Sequence, residues 1–220
     1  MTARAAPEPA EGEAPLTLDV FFDYVCPYCL IVEDAVEQVA ERRQLAVRWL
    51  PFELRPYPSA TLRPEDPYLP AVWRDSVYPR AAAAAGVPIS LPTTSPQPWS
   101  HAAFEGRIHA ASHGVERAWD RAVLRAFFQE DRDIGDLAVL AAIGEAVGLD
   151  PAQVREALQE RRYEGAHQAA LREGRAAHIS AVPTLRLGRH SFAGAPDEAR
   201  LDHFVGLVLD ERSASAGPAA

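Results

Sequence analysis

Cys26 and Cys29 are the only cysteines in a chain of 220 residues, and both fall in the stretch FFDYVCPYCLI (21–31). Ahead of them runs an apolar segment. Behind them Ile31, Val32, Ala35, Val36 and Val39 recur at helical spacing. Cys26 therefore sits at or just before a helix start. There the first backbone N–H groups lack partners, and the positive end of the dipole favours a thiolate over a thiol. Pro27 suits the first turn, where its missing N–H costs nothing. Cys29 lies one turn further in, close enough to close a disulfide with Cys26. The spacing supplies an attacking thiol and a resolving thiol, the two parts that exchange through a mixed disulfide requires.

A cysteine pair has other uses. A structural zinc site takes four ligands, and the sequence offers no second cysteine pair. His101, His109 and His113 fall on one predicted helix, but at irregular intervals and without a cysteine nearby. Free cysteines are also commonly buried and inert. A strand–CPxC–helix context argues against that. The expected metal content is none.

The elements that must position the pair are legible from periodicity. LTLDVFFDY (16–24) and LAVRWLPFEL (45–54) read as strands, and the helix between them, over 27–43, makes a βαβ unit with parallel strands. Residues 55–98 are proline-rich around a helix predicted over 69–86. Amphipathic helices follow over 100–114, 116–130, 136–148 and 163–178, with another opened by Asp150 as cap and Pro151 at its first position. VPTLRLG and HSFAG then read as a β-hairpin around Gly188-Arg189, and residues 195–210 as a closing helix. The order βαβ, helical block, ββα is an α/β chain with a thioredoxin-like fold split by a large helical insertion. Residues 16–54 and 179–210 are expected to form the thioredoxin-like domain and 55–178 the inserted one, with 1–15 and 211–220 as disordered tails.

Composition narrows the function. A net charge of −9 and pI near 5.3, with no basic stripe, argue against a nucleic-acid partner. The N-terminus lacks the apolar core of a signal peptide, and no stretch has the length that spans a bilayer. The expected setting is the cytoplasm, away from membranes. Two cysteines are no disulfide framework. Lysine and asparagine are absent altogether, which reads as a compositional bias.

The strand–CPYC–helix segment, together with SAVPT (180–184), resembles the thioredoxin superfamily. FFDYVCPYCLI and the helical insertion resemble its DsbA-like branch, in particular the FrnE-type cytoplasmic proteins, over residues 16–210. The resemblance implies that Cys26 is the nucleophile and Cys29 the resolving cysteine. Pro183 matches the family's cis-proline, facing the dithiol, and leaves the backbone of Val182 free to pair with an extended client. Tyr28 is then a client contact that also shapes the potential, expected on the order of −200 mV. Asp23 has two readings: a strand-end cap through its side-chain oxygens, or, if buried beside Cys29, a proton relay of the kind family members use. His178 could approach the dithiol, although a helix-end histidine answers to the dipole as well. Trp99 and His101 are read as a core aromatic and its neighbour rather than as a client groove.

The expected activity is cytoplasmic thiol–disulfide oxidoreductase or isomerase chemistry on protein clients, with no cofactor beyond the redox-active dithiol. Glutathione is a candidate co-substrate, and the chain is a monomer or homodimer. Two alternatives stand beside this. One is glutathione-dependent transferase or isomerase activity of the kappa-class or hydroxychromene-carboxylate isomerase type, whose members typically carry serine where Cys26 stands. The other is a client-binding chaperone module whose surface is the proline-rich segment 51–98.

Overall fold

The computed structural model describes residues 16–84 and 86–215. The expected tail 1–15, and 216–220 of the other, lie outside these residues. A four-stranded mixed sheet forms in the order β2-β1-β3-β4. Strand β1 (Thr17–Phe22) lies inside it, and every residue after Thr17 is buried. This continuous apolar run suits a strand covered on both faces. β1 pairs in parallel with β2 (Ala46–Pro51), Val20 opposite Trp49, and antiparallel with β3 (Thr184–Leu187), Val20 opposite Leu185. Asp19 is the polar exception on β1. Its two register partners, Arg48 and Arg186, both donate to its carboxylate, so the charge is neutralised within the sheet.

β3 turns through Gly188-Arg189 into β4 (His190–Ala193), and Gly188 supplies the φ of +60° that the tight turn needs. The helix predicted over 27–43 is two helices, α1 (Pro27–Ile31) and α2 (Glu33–Arg43), meeting at Val32. Directly after the break Glu33 is buried, where it accepts from Arg117 at 2.5 Å.

The inserted block begins with α3 (Tyr68–Val72) and α4 (Tyr78–Ala83), joined by a π-turn at Trp73–Val77. The predicted 69–86 helix is therefore interrupted and ends before Gly86. Four predicted helices form a few residues shorter than expected: α5 (His101–Ala111), α6 (Glu116–Phe128), α7 (Leu137–Ala146) and α9 (Glu164–Ala176). α8 (Pro151–Gln159) starts as anticipated, with the Asp150 carboxylate accepting from Ala152 and Gln153 N–H.

The last helix, α10 (Glu198–Ser215), corrects the expectation of a disordered 211–220, since residues 211–215 are helical. Glu211 is tied to the hairpin turn by Arg189 and His190, and the hydroxyls of Ser213 and Ser215 bond back to Leu209 and Glu211 carbonyls. Those contacts hold a polar end that composition alone reads as loose.

Sheet and insertion share their apolar interior. Phe22 and Tyr24 meet Phe104 of α5 in edge-on and tilted ring contacts at 5.3 and 4.5 Å, and Trp49 packs edge-on against Phe22 at 5.3 Å. Beside them the Tyr24 hydroxyl and the Arg107 guanidinium both donate to the buried carboxylate of Asp120 on α6. The strand end that leads to the cysteines is thus held from the insertion side.

Candidate active site

After β1 the chain turns sharply, with the Cys26 N–H bonding the Asp23 carbonyl at 3.1 Å. Cys26 becomes the extended N-cap residue of α1, φ −100° and ψ 112°, with Pro27 following. No side chain caps this helix. Cys26 therefore stands at the N-terminal, positive end of α1, with the Cys29 N–H bonded to its carbonyl at 3.0 Å. Cys26 is 3% exposed and Cys29 fully buried, and both are free thiols. Cys29 shares a hydrogen bond with Cys26, and the main-chain amide of Asp23 reaches its sulfur. Burial, then the bond to Cys26 and the charges around it, push the Cys29 thiol well above its ordinary range. Cys29 keeps its proton until a group beside it takes one.

The chain returns to the dithiol 156 positions later, where the Cys26 thiol donates to the Val182 carbonyl at 3.4 Å. The Val182–Pro183 peptide bond is cis. Pro183 is buried, and its carbonyl accepts from Gly194 N–H at 2.8 Å. Thr184 donates through its hydroxyl to the Ala181 carbonyl at 2.7 Å, closing the turn ahead of β3.

Asp23 is both a cap and a buried acid beside Cys29. Its carboxylate accepts from Val25 N–H at 3.4 Å, from Leu54 N–H at 2.7 Å and from the Ser100 hydroxyl. Burial pushes its carboxyl up to about 6; the three donors oppose that, and the charge of Glu53 adds to it. An acid of this strength exchanges protons near neutrality, beside a thiol that must lose one.

Tyr28 is half-buried and bridges to the insertion. Its hydroxyl is 2.7 Å from Ser76 in the π-turn, and the Arg80 guanidinium lies 5.0 Å over its ring. His178 is exposed beyond α9, at a left-handed φ of 57°, with its N–H on the Arg175 carbonyl. It is a helix-end residue. Trp99 is half-buried rather than a core aromatic: its ring packs edge-on to Tyr57, and its indole N–H donates to the Ser59 carbonyl. Ser76 and Arg80 meet Tyr28, Ser100 and Glu53 bear on Asp23, and His167 pairs with Glu53, all without any local sequence signal. They come from separate elements, and no spacing rule joins them.

Among the described residues no group of three or more metal-ligating side chains converges, and no helix is long and apolar enough to cross a membrane.

Residues 17–206 match the DSBA-like thioredoxin domain, and the chain belongs to that family. Its fold is the DsbA-like thioredoxin fold with a helical insertion. Over 197 residues, 89% of this chain and 96% of the relative, it is 39% identical to the uncharacterized protein YwbO of Bacillus subtilis. Solved structures with the same fold include a probable DsbA oxidoreductase from Streptomyces coelicolor, with 22% identity, TM-score 0.72 and 93% of each chain covered. Another is 2-hydroxychromene-2-carboxylate isomerase, with 15% identity, TM-score 0.73, and 91% of this chain and all of that one covered. A third is the cytosolic disulfide reductase DsbM from Pseudomonas aeruginosa with GSH, with 17% identity, TM-score 0.62, and 89% of this chain and all of that one covered.

Proposed function

We propose that this chain is a cytoplasmic thiol–disulfide oxidoreductase or isomerase of the FrnE type, acting on protein clients and on small thiols through Cys26 and Cys29. The observation that carries the reading is the placing of the dithiol. Cys26 caps α1 under the Val182 carbonyl, and the buried Cys29 lies behind it against Asp23.

Exchange runs in two steps. The Cys26 thiolate attacks one sulfur of a client disulfide; a Cys26–client disulfide forms, and the other client sulfur leaves as a thiolate. Asp23, ionised, then takes the proton of Cys29. The Cys29 thiolate attacks Cys26, closing the Cys26–Cys29 disulfide and releasing the second client thiolate. The client is reduced by two electrons and the dithiol oxidised by two. Two glutathione molecules restore the dithiol, leaving as glutathione disulfide. Run backwards, the same steps oxidise a client. The backbone at Val182 and Pro183 lines the place where an extended client strand would lie, and Tyr28 flanks it. The DsbM likeness supports glutathione as the small thiol and the cytoplasm as the setting.

The test is insulin-disulfide reduction with dithiothreitol as electron source. Wild type accelerates it, and Cys26→Ser does not. Undiminished activity in Cys26→Ser would overturn the reading.

The isomerase likeness gives a second reading, glutathione-dependent isomerisation on the same fold. The intact cysteine at position 26 weighs against it, since those enzymes typically carry serine there. A glutathione-dependent isomerase activity that survives replacement of both cysteines would establish it.

A further inference from the structure

Behind Asp23 lies a second buried polar pair, Glu53 and His167. Glu53 Oε1 is 2.6 Å from His167 Nε2, with the two side chains 6% and 1% exposed. The imidazole stacks on Phe104 at 5.3 Å, within the aromatic cluster beside the strand end. Its Nδ1 is buried and has no hydrogen-bond partner among the described residues. Two apolar side chains would fill this volume at lower cost than an ionisable pair, so packing does not account for it.

The pair is wired to the site by one peptide. Glu53 directly precedes Leu54, whose N–H donates to Asp23 at 2.7 Å, and the Glu53 charge disfavours ionisation of Asp23. We propose that the Glu53–His167 pair is a positioning element for the resolving step, fixing by its charge the pH at which Asp23 can take the proton of Cys29. This rests on the exchange reading, with Asp23 as the acceptor.

The logic is electrostatic. Anchored by His167 Nε2 at 2.6 Å, the Glu53 carboxylate sets a negative charge on the far side of the Leu54 peptide from Asp23, and that charge opposes the ionisation of Asp23. Other groups bear on the same pair. His101 faces both Glu53 and His167. Beyond them Glu105 and Arg161 are joined at 2.6 Å, and Arg161 also meets Glu164. On the opposite side Asp23 faces Cys29, which is bonded to Cys26.

The experiment follows the single-turnover resolution of a glutathione mixed disulfide on Cys26 as a function of pH, in wild type, Asp23→Asn, Glu53→Gln and His167→Gln. Circular dichroism checks folding. In wild type the rate rises with pH as Asp23 ionises. Glu53→Gln removes the opposing charge, so the midpoint falls by about half a pH unit or more. His167→Gln can still donate to Glu53 and keeps its carboxylate in place, so the midpoint stays at the wild-type value. Glu53→Gln with the wild-type midpoint overturns the role of the pair while Asp23→Asn still flattens the limb. If Glu53→Gln does not fold, the double variant Glu53→Leu/His167→Leu, which fills the volume with apolar side chains, decides: a lowered midpoint supports the role and an unchanged one overturns it. A normal limb in Asp23→Asn instead overturns Asp23 as the acceptor, a separate failure.

Discussion

The Cys26 thiol and the Val182 carbonyl oxygen lie 3.4 Å apart, joined by a hydrogen bond across 156 positions of sequence. The contact is to main chain, so it places a polypeptide edge, and not a particular side chain, beside the attacking sulfur. Val182→Ala keeps that carbonyl. Its exchange with small thiols should stay within about twofold of wild type, because the main-chain acceptor beside Cys26 is unchanged. Turnover of insulin, which needs the strand edge and the half-buried side chain, should fall further. An equal loss on both substrates, measured side by side, would contradict this division.

Asp23 ties activity to stability. Its carboxyl is raised in the folded protein from 3.8 to about 6. The stability it lends is therefore complete below the unfolded value and is lost as pH rises through the folded one. Above that the buried charge costs about 3 kcal/mol. Asp23→Asn keeps an acceptor for Leu54 N–H without the charge. Urea unfolding should show the variant more stable than wild type at about pH 8, with the gap closing toward about pH 4. A gap that does not change with pH would contradict the buried-acid account.

The insertion braces the site through tight packing. A Cβ added at Gly106 would meet Trp119 Cζ2 at 2.2 Å, and Trp119 is fully buried with its indole N–H on the Ala103 carbonyl at 3.0 Å. Gly106→Ala should destabilise by about 2–3 kcal/mol, because overpacking forces a rigid ring out of place. Thermal unfolding checks it. A melting temperature equal to wild type would show that α5 and α6 give way more easily than this contact implies.

What was legible in the sequence was local. The CPYC spacing, the helical face from Ile31 onward, the Asp150-Pro151 start and the Gly188-Arg189 turn each depend on neighbours within one turn, and each stands in the structure as read. The break at Val32, the π-turn at Trp73–Val77 and the helical 211–215 depend on what the chain packs against: Arg117 for Glu33, and the hairpin turn for Glu211. Asp23 was visible as a candidate with two roles, since periodicity gives no depth of burial. Glu53 and His167 are 114 positions apart and follow no spacing rule. Only the fold brings them to one place behind the dithiol.

The central claim is a division of labour between two cysteines, and trapping tests it most directly. Cys29→Ser is incubated with a disulfide-bearing protein, alkylated and analysed by non-reducing electrophoresis and mass spectrometry. The account predicts a stable adduct joined through Cys26, absent from Cys26→Ser and short-lived in wild type. Resolution by Cys29→Ser at the wild-type rate, or an adduct that forms without Cys26, would contradict it.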